Sequence, residues 1–239
     1  MRGIILAGGK GTRLYPLTKV TNKHLLPVGR EPMIFHCVRQ LAGANLAEIL
    51  VVTSTEHMGE IVSALGSGRE FGVNITYRVQ EEAGGIAQAL ALGETFAAKE
   101  PIAVLLGDNI FAAPLAPFVR RYRDSPQGAR ILLKRVSDPE RYGVAALDEQ
   151  QIVAIEEKPS APKSDFAVVG FYQYDAAVFD VIRSIQPGPR GELEITSVNN
   201  AYLAQKQLGY DVYEGAWTDA GTFESYLLAN EMMSTPTKL

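Results

Sequence analysis

The sequence predicts an α/β protein built on a doubly wound, Rossmann-like mixed sheet, folded as a single domain over 1–239. Three observations carry that expectation. An apolar run, Gly3-Ile4-Ile5-Leu6-Ala7, feeds straight into a glycine-rich turn, Gly8-Gly9-Lys10-Gly11-Thr12. Apolar runs of strand length then alternate with segments of helical periodicity through the first half of the chain. A carboxylate, Asp108, follows the apolar run 102–106 directly, where a parallel strand meets a ligand crevice.

The elements follow in order. Strand 3–7 is short and apolar. Segment 33–45 places Ile34, Val38, Leu41 and Ala42 at helical spacing. Strand 48–54, helix 56–65, strand 73–80, helix 85–96 and strand 101–107 come next. Strands separated by helices imply a mostly parallel sheet covered on both faces, with ligands at the carboxyl ends. The second half is more mixed: strands 129–136, 143–147, 152–157 and 166–174, helices 176–185 and 193–206, a late strand 210–213 and a terminal helix 223–233. No Pro/Ser/Gly linker, internal repeat or low-complexity tract interrupts the chain.

Composition narrows the class. The chain has 239 residues, 46% hydrophobic and 21% charged, as in an ordinary globular protein with a sizeable core. A net charge of −4 argues against a nucleic-acid partner, which calls for a basic surplus. The single cysteine, Cys37, lies in an apolar segment and reads as a buried small hydrophobe. No apolar stretch reaches membrane-spanning length and the N-terminus enters a strand at once, so the cytoplasm is the expected location. His24, His36 and His57 lack metal-ligand spacing, and no nucleophile elbow is present.

The glycine turn carries the chemistry. Glycines let backbone N–H groups converge on an anion, and Lys10, Arg13 and Lys23 bring positive charge to the same end of the sheet. A nucleoside triphosphate is the expected ligand. A Walker A loop is excluded because Gly11 follows Lys10 where Ser or Thr is required. The dinucleotide fingerprint fails at Leu14, its third glycine position, and strand 48–54 runs into Thr55 without the acidic residue that motif wants. Gln80 ends its strand facing the crevice, and its amide offers the donor and acceptor that a pyrimidine edge needs. Asp108 and Asp219 come from distant parts of the chain. Paired carboxylates of this kind suit Mg²⁺, which keeps open positions for substrate phosphates.

The run from Gly3 to Thr18, followed by Asn22-Lys23-His24-Leu25-Leu26-Pro27-Val28, closely resembles the sugar-1-phosphate nucleotidylyltransferases. The resemblance continues through Leu106-Gly107-Asp108-Asn109-Ile110-Phe111, Asp138-Pro139-Glu140-Arg141-Tyr142-Gly143-Val144 and Glu156-Glu157-Lys158-Pro159. It ends with Arg190-Gly191-Glu192-Leu193-Glu194-Ile195-Thr196 and Trp217-Thr218-Asp219-Ala220-Gly221-Thr222, so it spans nearly the whole chain. It implies the nucleotidyltransferase (glycosyltransferase A-like) fold, with a nucleotide-binding half, 1–110, and a sugar-binding half, 111–239. Within the family the chain looks most like the branch that transfers a thymidylyl group from dTTP to glucose 1-phosphate with Mg²⁺.

The resemblance implies roles for particular residues. Arg13 and Lys23 would be catalytic, neutralising charge on the triphosphate. Gly8, Gly9, Gly11, Thr12, Gln80, Gly85 and Asp108 would bind the nucleotide, with Gly84-Gly85 lying against the base. Asp108 and Asp219 would hold the metal. Asn109, Tyr142, Gly143, Glu157, Lys158, Val168 and Arg190 would bind the sugar phosphate: Glu157 its hydroxyls, Lys158 and Arg190 its phosphate. Glu194 reads instead as a first-turn residue favoured by a helix dipole.

The pattern departs from the family in places. His24 stands where Gln is frequent, Val169 where Thr is common, and Glu81-Glu82-Ala83-Gly84 replaces a Pro/Ser-rich stretch. The sequence stops at Leu239 without the C-terminal helices of longer members, a short form in which the resemblance implies an incomplete regulatory site and leaves homo-oligomer formation open. Uridylyl or cytidylyl transfer to a related hexose 1-phosphate stays open as an alternative activity. A non-catalytic sugar-nucleotide sensor is a second alternative, and intact Arg13, Lys23, Asp108 and Asp219 speak against it.

Overall fold

The computed structural model describes residues 1–234. The chain forms two compact units, neither of them a continuous stretch. One, here the terminal unit, holds Arg2–Ala83, Leu105–Pro117 and the described residues from Gly215 on. The other, the middle unit, holds Met1, Gly84–Val104 and Phe118–Glu214.

In the terminal unit the strands Arg2–Ala7, Glu48–Ser54 and Asn74–Gln80 lie parallel in that order. Their register runs from Gly3 opposite Ile49 to Ala7 opposite Thr53, and from Glu48 opposite Asn74 to Ser54 opposite Gln80. Ile4, Ile5 and Ile49 to Val52 are fully buried, as near-continuous apolar strands are when helices cover both faces. The helix Met33–Gly43 buries Met33, Ile34, Cys37, Val38 and Leu41, one stripe of a 3.6-residue period. It stops two residues short of the expected end, where Asn45 turns left-handed at φ 59°. The helix Met58–Leu65 starts later than the spacing suggested because Thr55–His57 forms a separate tight turn.

The same unit contains an antiparallel pair that the sequence did not announce. Asn109–Phe111 runs against Trp217–Asp219, with Trp217 opposite Phe111 and Asp219 opposite Asn109. Asp219 therefore closes this short strand. Val28, Met33, Ile110, Ala220 and Ala229 make a small core beneath the helix Phe223–Ser234.

The middle unit carries an antiparallel group in the order Gln151–Glu157, Gly143–Asp148, Phe166–Tyr174, Ala129–Arg135, with Leu208–Val212 parallel beyond it. Phe166–Tyr174 matches its expected bounds, and from Ala167 to Tyr174 every residue is buried. The expected helix 85–96 is two helices, Ile86–Ala91 and Glu94–Ala97, interrupted at Leu92 and Gly93. Parallel strands in one unit and mostly antiparallel ones in the other give the mixed α/β class that the sequence predicted. Among the described residues, no helix is long and apolar enough to cross a membrane.

Cys37 is fully buried, and its Sγ lies 3.5 Å from the carbonyl oxygen of Gly107 and 3.7 Å from those of Leu106 and Asn109. Burial pushes its thiol well above the usual range, and the Asp108 charge adds to the effect. The thiolate is the reactive form. Native protein at pH 8 should therefore leave a disulfide reagent such as DTNB unreacted over minutes and titrate one thiol after denaturation. Rapid reaction of the folded protein would contradict this packing.

Candidate active site

The glycine turn leaves the carboxyl end of Arg2–Ala7 and doubles back onto Lys23. Gly11 sits at φ 61°, and a Cβ there would come within 2.9 Å of Thr18 Cγ2 and 3.0 Å of Lys23 Cβ. Only a residue without a side chain permits that approach in a left-handed conformation. Thr18 Oγ1 donates to Gly11 O at 2.9 Å and closes the turn. Leu14, fully buried, anchors the short helix Thr12–Leu14 and leaves Arg13 exposed beside it. Gln80 overlies the start of the turn: a Cβ on Gly8 would be 2.8 Å from Gln80 Oε1. Lys10 is exposed, 3.7 Å from Glu56.

The centre of this cluster is an ion pair. Lys23 Nζ donates to Asp108 Oδ2 at 2.6 Å, with the two side chains only 12% and 17% exposed. Asn109 Nδ2 donates to the other oxygen, Asp108 Oδ1, at 2.9 Å, and Trp217 Nε1 donates to Asn109 Oδ1 at 2.8 Å. Burial by itself would raise the Asp108 carboxyl. The Lys23 charge and the hydrogen bonds from Lys23 and Asn109 overcome it and hold the group well below the usual carboxylate range.

His24 is buried and neutral. Burial, helped by the Lys23 charge and opposed by Asp108, brings its pKa from 6.5 down to about 3. Asn22 Oδ1 lies 2.7 Å from His24 Nδ1 and accepts the His24 backbone N–H at 2.8 Å, which fixes the Nδ1–H tautomer. Asn22 Nδ2 is buried without a hydrogen-bond partner.

Asp219 faces Asn109 in the antiparallel pair, and Ala220 N–H donates to Asp108 O at 2.7 Å. Arg13 Nη2 and Asp219 Oδ2 lie 3.0 Å and 3.5 Å from the place a Cβ would occupy on Gly221. Arg13, Lys23, Asp108 and Asp219 thus belong to one neighbourhood of the terminal unit. Among the described residues no three His, Cys, Asp or Glu side chains form a metal cluster. Two carboxylates alone fit an oxygen-seeking ion that keeps most of its positions for water and phosphate.

A second cluster lies in the middle unit. Glu157 is opposite Gly143 in the strand pairing, and a Cβ on Gly143 would be 3.4 Å from Glu157 Oε2, 3.3 Å from Thr196 Oγ1 and 3.8 Å from Val168 Cβ. Thr196 Oγ1 donates to Glu157 Oε2 at 2.6 Å. Lys158 adopts φ 45°, unusual for a non-glycine residue; its N–H donates to Tyr142 O at 2.9 Å, and its Nζ lies 3.9 Å from Glu157 Oε1. Arg190 Nη2 is 3.8 Å from Glu157 Oε1 and 2.9 Å from Glu194 Oε1.

Tyr142, Gly143, Glu157, Lys158, Val168 and Arg190 all fall in this unit. Asn109 does not, and its amide is engaged by Asp108 and Trp217. Gly85 packs on Leu193, in the middle unit, whereas Gln80 belongs to the terminal unit. The sequence reading passed over Asn22, Thr196 and Trp217 as contributors. The Asn22-x-His24 spacing, typical of an Asx turn, was the one available signal.

A glycine turn closed on a lysine, with two carboxylates and an arginine in one neighbourhood, defines a phosphate-handling α/β enzyme site. Residues 2–235 match the model of the nucleotidyl transferase family, and the chain belongs to that family. It is 44% identical over 239 residues to the glucose-1-phosphate thymidylyltransferase of Mycolicibacterium smegmatis, covering 98% of this chain and 83% of that protein. A Bacillus anthracis protein described as a glucose-1-phosphate thymidylyltransferase and crystallised with sucrose is 54% identical. It superposes with a TM-score of 0.95 over 98% of this chain and 96% of that one. UDP-glucose pyrophosphorylase bound to UDP-glucose is 26% identical, with a TM-score of 0.84 over 96% and 97% of the two chains.

The His24 geometry predicts a pH effect on stability. Its folded pKa of about 3 lies below the ordinary 6.5, so between those values the unfolded chain takes up a proton that the folded one refuses. Stability is lost as pH falls through that window, by up to roughly 1.4 kcal/mol per unit. Urea unfolding between pH 7 and pH 4.5 should show a shallower pH slope for His24→Gln than for the wild type. Equal slopes would place the burden on other groups.

Proposed function

We propose that this protein transfers a thymidylyl group from dTTP to α-D-glucose 1-phosphate, releasing pyrophosphate, in the cytoplasm. The observation that carries the reading is the Lys23–Asp108 ion pair against the glycine turn, with Arg13 and Asp219 in the same neighbourhood. The relatives' names support the two substrates. Glu157, Lys158 and Arg190 form a set with a hydroxyl acceptor and two phosphate donors, which suits a sugar phosphate.

In this reading an oxygen of the sugar's phosphate attacks the α-phosphorus of dTTP. A new P–O bond forms as the bond to the bridging oxygen of the β-phosphate breaks, and that oxygen leaves with pyrophosphate. The attacking phosphate is already ionised, so the chain has no proton to remove. Lys23 gives one N–H to Asp108 and has two more to offer the triphosphate. Arg13 adds a planar set of donors from an exposed turn, and the backbone of Gly8 to Thr12 cradles phosphate oxygens. Gln80 reads the pyrimidine edge. Mg²⁺ held by Asp108 and Asp219 supplies further charge neutralisation to the phosphates when bound. Asp108 is ionised across the physiological range because Lys23 keeps it so. Uridylyl transfer is the second reading: a Gln80 amide sees neither the 5-methyl group nor the 2′-hydroxyl, and a UDP-glucose pyrophosphorylase shares the fold.

Pyrophosphate release should be measured with dTTP, UTP, dCTP and dATP against several sugar 1-phosphates. Fastest release is expected with dTTP and glucose 1-phosphate, and none with any pair would overturn the reading. Arg13→Ala should fold normally and lose about 10²- to 10³-fold in kcat, as donors aimed at developing charge do. Asp108→Asn and Asp219→Asn should each raise the Mg²⁺ concentration needed for activity, and full wild-type turnover in chelator would remove the metal from the scheme. Gln80→Ala should lower kcat/KM for dTTP roughly ten- to hundredfold, by analogy with base-edge readout, and leave KM for glucose 1-phosphate unchanged.

A further inference from the structure

We propose that Lys10 is a further phosphate-binding residue, committed to the end of the triphosphate that leaves as pyrophosphate, and that Glu56 holds it in reserve. Resting on the dTTP reading above, this role adds a cation that the scheme there leaves unused.

The charge at the site calls for it. Lys23 Nζ is engaged by Asp108 Oδ2 at 2.6 Å. Arg13 Nη2 and Asp219 Oδ2 flank one point beside Gly221, at 3.0 Å and 3.5 Å. Two cations thus stand against two carboxylates, and their formal charges cancel. A Mg²⁺ held by the two acids offsets only part of the charge on a triphosphate. Lys10 shares the glycine turn with Arg13, and its ion pair is with neither of those acids but with Glu56, 3.7 Å away.

That ion pair is loose. Lys10 is 68% exposed and Glu56 54%, and a pair so open to water is weak and easily exchanged. Lys10 sits between Gly9, at φ 102°, and Gly11, at φ 61°, in the middle of the turn whose backbone cradles phosphate in that reading. A Cβ built on Gly9 would meet no atom within 4 Å, so the space beside Lys10 is open. Lys23 and Asp108 mark the reacting α-phosphorus, and a cation on the turn meets the phosphates beyond the breaking bond.

Glu56 is placed to keep Lys10 there. It belongs to the tight turn Thr55–His57, which follows the strand Glu48–Ser54 at the carboxyl edge, where Thr53 is opposite Ala7. The turn is tethered to the arm that leads into Lys23. His57 Nδ1 lies 3.3 Å from Glu60 Oε1, while Glu60 Oε2 accepts from Thr21 Oγ1 at 3.3 Å and from the Asn22 N–H at 3.4 Å. The Glu56 carboxylate therefore stays beside the glycine turn and in water. It holds Lys10 without the burial that locks Lys23 to Asp108.

The test is steady-state kinetics on the full chain in both directions. Lys10→Ala should raise KM for dTTP about tenfold forward and KM for inorganic pyrophosphate about tenfold in reverse, with kcat nearly unchanged, as for a contact made equally in ground and transition states. The two rises must match, because a variant cannot alter the overall equilibrium. KM for glucose 1-phosphate and for the nucleotide sugar, which carry neither phosphate of the leaving group, should stay within about twofold. Lys10→Arg keeps the charge and should stay within about threefold of wild type throughout. Glu56→Gln should lower KM for pyrophosphate about twofold, and should do nothing in a Lys10→Ala background. An unchanged KM for pyrophosphate in Lys10→Ala overturns the proposal, as does an equal rise for all four substrates. A raised KM for pyrophosphate in Glu56→Gln overturns the reserve role. If circular dichroism shows Lys10→Ala to be unfolded, Lys10→Gln decides by the same criteria. A wild-type protein that releases no pyrophosphate with any sugar phosphate sinks the functional reading and this proposal together. Normal wild-type turnover with unchanged dTTP and pyrophosphate KM in the Lys10 variant sinks the proposal alone.

Discussion

The terminal unit is organised around one interaction, the pairing of Lys23 with Asp108 at 2.6 Å in a place where both are largely hidden from water. A buried pair of this kind contributes little net stability, because desolvation offsets most of the attraction. It persists because the surrounding backbone over-determines each partner. Lys23 opens a short helix whose N-cap, Asn22, accepts the His24 N–H, and Gly11 presses against its β-carbon. Asp108 follows Gly107, whose N–H donates to Leu6 O at 2.9 Å. A Cβ on Gly107 would be 2.8 Å from the His24 ring and 3.2 Å from Ala7 Cβ. The strand end, the helix cap and the antiparallel pair behind Asp219 all close on the same two charges. An anion that binds there meets donors already in position, with no reorganisation left to perform.

Keeping His24 neutral belongs to the same constraint. A second cation buried beside Lys23 would raise the cost of the site without a second acid to balance it. The imidazole therefore stays uncharged and gives its Nδ1–H to Asn22, leaving Lys23 as the buried cation of the cluster. The unpartnered Asn22 Nδ2 is the residual cost, a buried donor of the sort that folded proteins retain where a site needs it.

The parallel strands, the glycine turn and Asp108 at a strand end were legible because each is written in local pattern: apolar runs, glycine spacing, and an acid directly after an apolar run. The pairing of Asn109–Phe111 with Trp217–Asp219 was not. Three-residue strands leave no periodicity, and their partners are more than a hundred positions apart. The helix Ala116–Asp124 escaped for a related reason, since it buries only Val119 and Tyr122 and otherwise displays arginines. At the site the charged residues were legible and their partners were not. Glu194 sits where a helix-dipole role is the natural expectation, yet its carboxylate is taken by Arg190 through a geometry that only the folded loop creates. Asn109 shows the same limit, because its hold on Asp108 depends on Trp217 arriving from the far end of the chain.

Both clusters hold an acid against a cation, but their environments differ. Lys23 and Asp108 are shielded from solvent, so separating them leaves two poorly hydrated charges at a cost of several kcal/mol. Arg190 is half exposed, but its partner Glu194 is only 13% exposed, as hidden as Asp108. In the proposed reading a sugar phosphate therefore shares the outward side of the Arg190 guanidinium while Glu194 keeps its hydrogen bonds, because drawing the cation away would leave a poorly hydrated carboxylate. The same phosphate charge near Lys23 must be accommodated by the hydrogens that Asp108 leaves unused. The Lys23–Asp108 pair is closed off from water on both sides, whereas the Arg190 guanidinium keeps one side open above an acid that stays hidden. One residue before that acid the backbone is held from both sides: Leu193 N–H donates to Gly84 O at 2.8 Å, and Leu193 O accepts the Ala87 N–H at 3.0 Å.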